Sequence, residues 1–169
     1  MRSLPVALAA ALALVSLSTS LAGQRPAAPV DARSAQLLGE ARAAKAAGNL
    51  DAATDAGEAA VAVDPRNRAA FVLLAQVAQS RGRPGNAIRL YREALELDPN
   101  DLAALSGQGL ALVQKGAVNR ARDNLTRLRT LCRTGCAEAT QLAAAIAKGP
   151  PAPPTTTAAA AVTPPPARE

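Results

Sequence analysis

The sequence predicts an all-α protein, a solenoid of three helix pairs closed by a C-terminal capping helix. Three observations carry that expectation. The chain has 169 residues, 49% of them apolar, yet only 1% aromatic, with Phe71 and Tyr91 the whole set. A core without aromatics must be assembled from many small contacts, and 44 alanines suit close-packed helices better than a sandwich or barrel. Five series of residues also share one phase at a spacing of 34. They are Gly48, Gly82 and Gly116; Ala53, Ala87 and Ala121; Leu37, Phe71 and Leu105; Ala41, Ala75 and Gly109; and Pro65 and Pro99, with Arg133 where a third Pro would fall.

In chain order, residues 1–22 read as a signal peptide. Arg2 supplies a positive start, Leu4 to Val15 is apolar, and Ser20-Leu21-Ala22 offers small residues before a cut ahead of Gly23. An uncleaved membrane anchor is the alternative, although a spanning helix wants about 20 apolar residues and this run is shorter. Residues 23–30 form a linker, and residues 31–148 hold everything able to fold. The repeats span 34–67, 68–101 and 102–135. Apolar residues at helical spacing place first helices at Ser34 to Ala47, Arg68 to Arg81 and Leu102 to Lys115. Each stops at a Gly suited to a left-handed cap.

Second helices follow at Asp51 to Val63, Pro84 to Leu97 and Val118 to Cys132. Pro84 suits an early helical position, and Pro65 and Pro99 end the helices before them. The small residues Ala41, Ala75 and Gly109 are expected opposite Ala53, Ala87 and Ala121, letting paired helix axes approach. Gly57, with no side chain in mid-helix, is expected to leave the first unit loosely packed. A capping helix over 137–147 would cover the last apolar face with Leu142 and Ile146. Residues 149–169, rich in Pro, Ala and Thr, read as a disordered or polyproline-II tail.

This pattern resembles the tetratricopeptide repeat. The second unit carries the likeness, with Phe71, Ala75, Gly82, Ala87, Tyr91, Ala94 and Pro99 where that family has its signature residues. The first unit departs at Gly57 and Ala44, and the third at Arg133. The resemblance implies a right-handed superhelix whose first helices line a concave surface for a protein or peptide partner. On that pattern the groove positions are Leu38, Arg42, Lys45, Val72, Gln76, Gln79, Ser106, Leu110, Val113 and Gln114. Chaperone-binding members hold a peptide carboxylate at positions matching Leu38, Arg42, Leu73, Ala103 and Gly107, of which only Arg42 could serve.

Cys132 and Cys136 read as a disulfide across a Gly-containing turn, with free thiols or a metal or redox pair as alternatives. The formal charge is +6, concentrated in Arg120, Arg122, Arg127, Arg129 and Arg133 against Asp123. That cluster suits an anionic lipid or lipopolysaccharide surface, or else is a solvated outer face in an arginine-biased protein. Export and the scarcity of stacking aromatics argue against nucleic acid. With no His in the chain, no His-based acid–base, nucleophilic or metal site can be built from it alone. Paired acids such as Glu93 and Glu96, or Asp98 and Asp101, sit where repeats simply have polar surface. No cofactor is implied. The expected function is a non-catalytic interaction module or scaffold, exported and most simply periplasmic, with no integral membrane segment once the signal is removed. The sequence fixes neither partner nor oligomeric state.

Overall fold

The structure, a computed structural model, describes residues 29–132 and 135–151. Among the described residues seven α-helices follow in chain order: α1 (Ala32–Ala46), α2 (Leu50–Val63), α3 (Arg68–Ser80), α4 (Pro84–Leu97), α5 (Leu102–Gln114), α6 (Val118–Leu131) and α7 (Ala137–Lys148). They form three antiparallel pairs stacked into a right-handed solenoid, with α7 packed on α5 and α6. The expected signal peptide, most of the linker and nearly all of the tail lie outside the described residues.

Local chemistry sets the helix ends. Asp31 accepts hydrogen bonds from the Arg33 and Ser34 amides, so α1 begins two residues before the predicted Ser34. Asn49, Asn67 and Asp101 cap α2, α3 and α5 in the same way. Gly48, Gly82 and Gly116 adopt φ of 76°, 67° and 78°, a left-handed conformation that an L side chain resists. Each supports a Schellman closure; after α1, for example, the Gly48 amide donates to the Lys45 carbonyl and Asn49 to Ala44.

Between the first two repeats, buried polar groups lock the register. The Ser34 hydroxyl donates to the Ala60 carbonyl at 2.7 Å, and Asn67 Nδ2 donates to Ser34 Oγ at 2.8 Å. Asp64 accepts from the Asp31 amide at 3.0 Å and from the Arg66 amide at 2.9 Å. With the Arg66 guanidinium adding to these amides, its carboxyl is held down from 3.8 to about 2.

Packing corrects two expectations. Gly57 is not a loose spot. A Cβ there would lie 2.8 Å from Leu74 Cδ2, because the next repeat sends a leucine into the space. Gly109 is buried for a different partner than Ala121: a Cβ on it would meet Leu142 Cδ2 at 2.5 Å, so its missing side chain seats the capping helix. Ala41, Ala53, Ala75, Ala87 and Ala121 are all fully buried.

The second and third repeats exchange bulk across their boundary. Tyr91, in the register position of Gly57, lies over Gly107, in the register position of Leu73. A Cβ on Gly107 would sit 2.2 Å from Tyr91 Cζ. Cys132 and Cys136 form a disulfide with Cα atoms 5.8 Å apart, joining the end of α6 to the start of α7. Asn124 is buried, donating to the Leu105 carbonyl and Gln108 Oε1.

Candidate partner groove

The first helix of each pair presents one stripe of residues on the same face. Because the repeats are in register, Arg42, Gln76 and Leu110 occupy equivalent places on α1, α3 and α5. So do Lys45, Gln79 and Val113, and likewise Leu38, Val72 and Ser106. Between α1, α3 and α5, four of these residues, Arg42, Lys45, Val72 and Gln76, border a depression of about 460 Å³, whose lining also includes Leu73 and Asp101. A second depression of about 320 Å³ continues from Gln76 and Ala103 past Gln79, Ser106, Gly107 and Leu110 to Glu138 and Gln141 of α7. The two adjoin at Gln76 and Ala103, which line both, and together they are called the trough.

Seven of the predicted groove residues border this trough: Arg42, Lys45, Val72, Gln76, Gln79, Ser106 and Leu110. Three do not. Leu38 is buried in the core of the first repeat with Ala41 and Leu73. Val113 is buried because α7 covers the last repeat, placing Val113 in one cluster with Leu142 and against Ile146. Gln114 is exposed but borders neither depression. The further lining residues include four polar ones that the repeat pattern did not place there: Asp101, Tyr91, Glu138 and Gln141. The last two come from the cap, whose position over α5 no repeat period could reveal. Tyr91 belongs to an outer helix and reaches the trough only because Gly107 has no side chain.

Polar side chains in the trough are tied down. Lys45 Nζ donates to Gln76 Oε1 at 2.7 Å, and the Tyr91 hydroxyl donates to Gln79 Oε1 at 2.7 Å. Burial pushes the Tyr91 phenol well above its ordinary range, so it stays protonated and remains a donor. Asp101 caps the Ala104 amide and pairs with Arg68, which also holds Asp98. This carboxylate pair therefore anchors an arginine at a repeat junction. The Ser106 hydroxyl donates to the Glu138 carbonyl at 3.2 Å, coupling α7 to the trough wall.

The predicted basic residues Arg120, Arg122, Arg127 and Arg129 lie exposed on α6, while Arg133 is outside the described residues. Arg122 donates to Asn119 Oδ1 and Arg127 to the Pro99 carbonyl, each at 2.6 Å. No ion pair joins any of these four arginines to an acid among the described residues. The described residues also contain no group of three His, Cys, Asp or Glu placed to hold a metal, and no helix long and apolar enough to cross a membrane.

A sequence model described as the tetratricopeptide repeat matches residues 38–101 and 72–133, more than half the chain. The chain belongs to the tetratricopeptide repeat family. Its fold is similar to the first repeat domain of Spaghetti (RPAP3) bound to an HSP90 peptide, with a TM-score of 0.65 at 21% identity over 70% of this chain and 94% of that one. It is similar also to the TPR2B domain of yeast Sti1 in its pHsp70 complex, with a TM-score of 0.65 at 18% identity over 70% of this chain and 98% of that one. A mutant O-GlcNAc transferase from Thermobaculum terrenum shares 28% identity at a TM-score of 0.62, over 68% of this chain and 22% of the transferase. Among curated proteins, "Cellulose synthase 2 operon protein C" of Komagataeibacter xylinus is 42% identical over 59 residues. That stretch is 35% of this chain and only 4% of the relative's length. As a tetratricopeptide repeat protein, the chain is a protein–protein interaction module.

Proposed function

We propose that this repeat domain is a non-catalytic adaptor of the cell envelope that holds a peptide or a partner helix in the α1–α3–α5 trough. The observation that carries the reading is the trough itself. It joins two adjoining depressions, with two cations in the one next to α1 and a lining that mixes apolar side chains with the amides of Gln76, Gln79 and Gln141. Such a mixture suits a polypeptide better than a small molecule, which is usually enclosed by a deeper apolar cavity. The peptide-bound repeat domains of similar fold lend support by analogy alone.

Export to the periplasm is part of the same proposal. It is supported by the charged, apolar and small-residue segments at 1–22 and by the disulfide, which persists in oxidising compartments. A relative encoded in a cellulose synthase operon agrees with an envelope setting.

The second reading has its own observation, the four exposed arginines of α6 with no acidic partner among the described residues. It makes α6 the contact to anionic lipid or lipopolysaccharide. One experiment separates the two. Crosslinked partners are recovered from cells carrying either V72E/L110E in the trough or R120Q/R122Q/R127Q/R129Q on α6. The adaptor reading predicts partner loss only with the trough substitutions. Partner capture that survives V72E/L110E and disappears with the arginine substitutions contradicts it.

A further inference from the structure

Among the described residues the exposed large apolar side chains are Val30, Val63, Leu97 and Leu131, at 42%, 45%, 43% and 38% exposure. Three of them share one place in the repeat, spaced by 34 residues as the last residues of α2, α4 and α6. Val30 joins them, because the Asp31 amide next to it donates to Asp64, which follows Val63. All four therefore stand along one edge of the solenoid, where second helices end and the next helices begin. A single exposed Leu or Val needs no explanation, whereas a row confined to one edge marks a contact surface.

Arginines are set between these apolar side chains. Arg66, 61% exposed, borders with Val30 and Leu97 one depression of about 610 Å³. Arg127 precedes Leu131 by one helical turn and donates to the Pro99 carbonyl, two residues after Leu97. Its guanidinium thus lies between the ends of α4 and α6. The acids of this edge are committed to the protein. Asp31 caps α1, Asp64 is buried against two amides and Arg66, and Asp98 and Asp101 both hold Arg68. What the edge offers outward is hydrocarbon interleaved with guanidinium.

That combination matches the interface of an anionic bilayer, where apolar side chains reach the acyl boundary and guanidinium groups pair with phosphates. The chain also enters the domain at this edge. Residues 23–30 separate α1 from the segment that holds the apolar run Leu4 to Val15, and eight residues span at most about 29 Å. The chain leaves α7 at the opposite edge, one helix length away.

We propose that this edge rests on the anionic surface of a lipid bilayer. Val30, Val63, Leu97 and Leu131 meet the acyl boundary, and Arg66 and Arg127 meet the phosphates. The helices then stand on the membrane, and the trough on their flanks stays open, so the contact is independent of what the trough holds. It differs from a lipid contact along the outer face of α6, which would engage Arg120 and Arg122 and neither Val63 nor Leu97.

The test uses the protein as its host produces it, with phosphatidylcholine vesicles that contain or lack phosphatidylglycerol. The protein should float with the anionic vesicles, and added salt should weaken the binding. V63S/L97S/L131S, which remains folded by circular dichroism, should bind them at least ~10-fold more weakly, as the lost apolar contacts imply. A gadolinium-chelating lipid in anionic nanodiscs gives a readout without substitution. Amides at 63–66, 97–100 and 131 should broaden, while those of Gly48, Gly82 and Gly116 at the opposite edge stay sharp. Failure to bind anionic vesicles, or broadening centred away from the 63–66 and 97–100 amides, overturns the proposal. So does binding that survives V63S/L97S/L131S and is abolished by R120Q/R122Q, which would move the lipid contact to the face of α6.

Discussion

Replacing Gly107 with Ala is expected to destabilise the domain even though it removes a glycine from the middle of a helix. On propensity alone, the change should gain up to about 1 kcal/mol. The geometry opposes it. The added Cβ would lie 2.2 Å from Tyr91 Cζ, 2.4 Å from its hydroxyl oxygen and 2.6 Å from Cε1. Comfortable carbon contacts need about 3.5–4.0 Å, so the ring or α5 must move by more than an ångström. Tyr91 is 1% exposed, and its hydroxyl is held by Gln79. It therefore cannot swing aside without breaking that bond and disturbing the alanines packed around it. Overpacking costs of about 1–3 kcal/mol, with about 1 kcal/mol more for the strained hydrogen bond, outweigh the helix gain. The expected net loss is roughly 1–3 kcal/mol.

Gly39 provides the contrast. It is exposed within α1 and has nothing within 4 Å of a built Cβ, so G39A should stabilise by about 0.5–1 kcal/mol. Urea unfolding of both variants, read by far-UV circular dichroism at constant slope, measures the difference. Adding Tyr91→Leu to G107A should recover part of the loss, giving a coupling energy in the double-mutant cycle. A G107A protein as stable as its parent, or no coupling to Tyr91, would refute the interlocked packing of the second and third repeats.

Three further outcomes follow from the structure. Leu142→Ala should cost about 2–5 kcal/mol, because this fully buried side chain fills the space left by Gly109, and hydrogen exchange should show α7 opening first. Reducing the Cys132–Cys136 bridge should lower stability by roughly 2 kcal/mol, since the ring is small, with faster amide exchange confined to α7 and the adjoining end of α6. Asp64, held at about 2, adds stability that is complete above its ordinary value and is lost as pH falls through about 2. The stability difference between the parent and Asp64→Asn should therefore shrink on acidification from about pH 5 to pH 2. A difference that stays constant over this range would contradict the assigned hydrogen bonds.

What the sequence made legible is what is decided within one repeat. The glycines after α1, α3 and α5 announce left-handed caps, and Pro65 and Pro99 mark the ends of α2 and α4. Those positions depend on backbone rules acting over a few residues. What stayed hidden depends on neighbours far along the chain. Gly57 looked like a defect because Leu74, its compensation, lies on the next repeat. Gly109 looked like a contact for the helix following it, whereas Leu142 of the cap occupies the space. Register alone could not separate Lys45 and Gln79, which border the trough, from the equivalent Val113, because only the last repeat is covered by α7. Tyr91 was legible as the signature aromatic of the second repeat. That its hydroxyl reaches the trough follows from the absence of a side chain at Gly107.

The central claim is that partners meet the inner face formed by α1, α3 and α5. Site-specific photocrosslinking in the native host tests it most directly, with a photoreactive residue placed in turn at Val72, Leu110, Arg122 and Arg129. The account predicts a discrete crosslinked partner from Val72 and Leu110 and none from the two α6 positions. Crosslinks that arise only from Arg122 and Arg129 would contradict it.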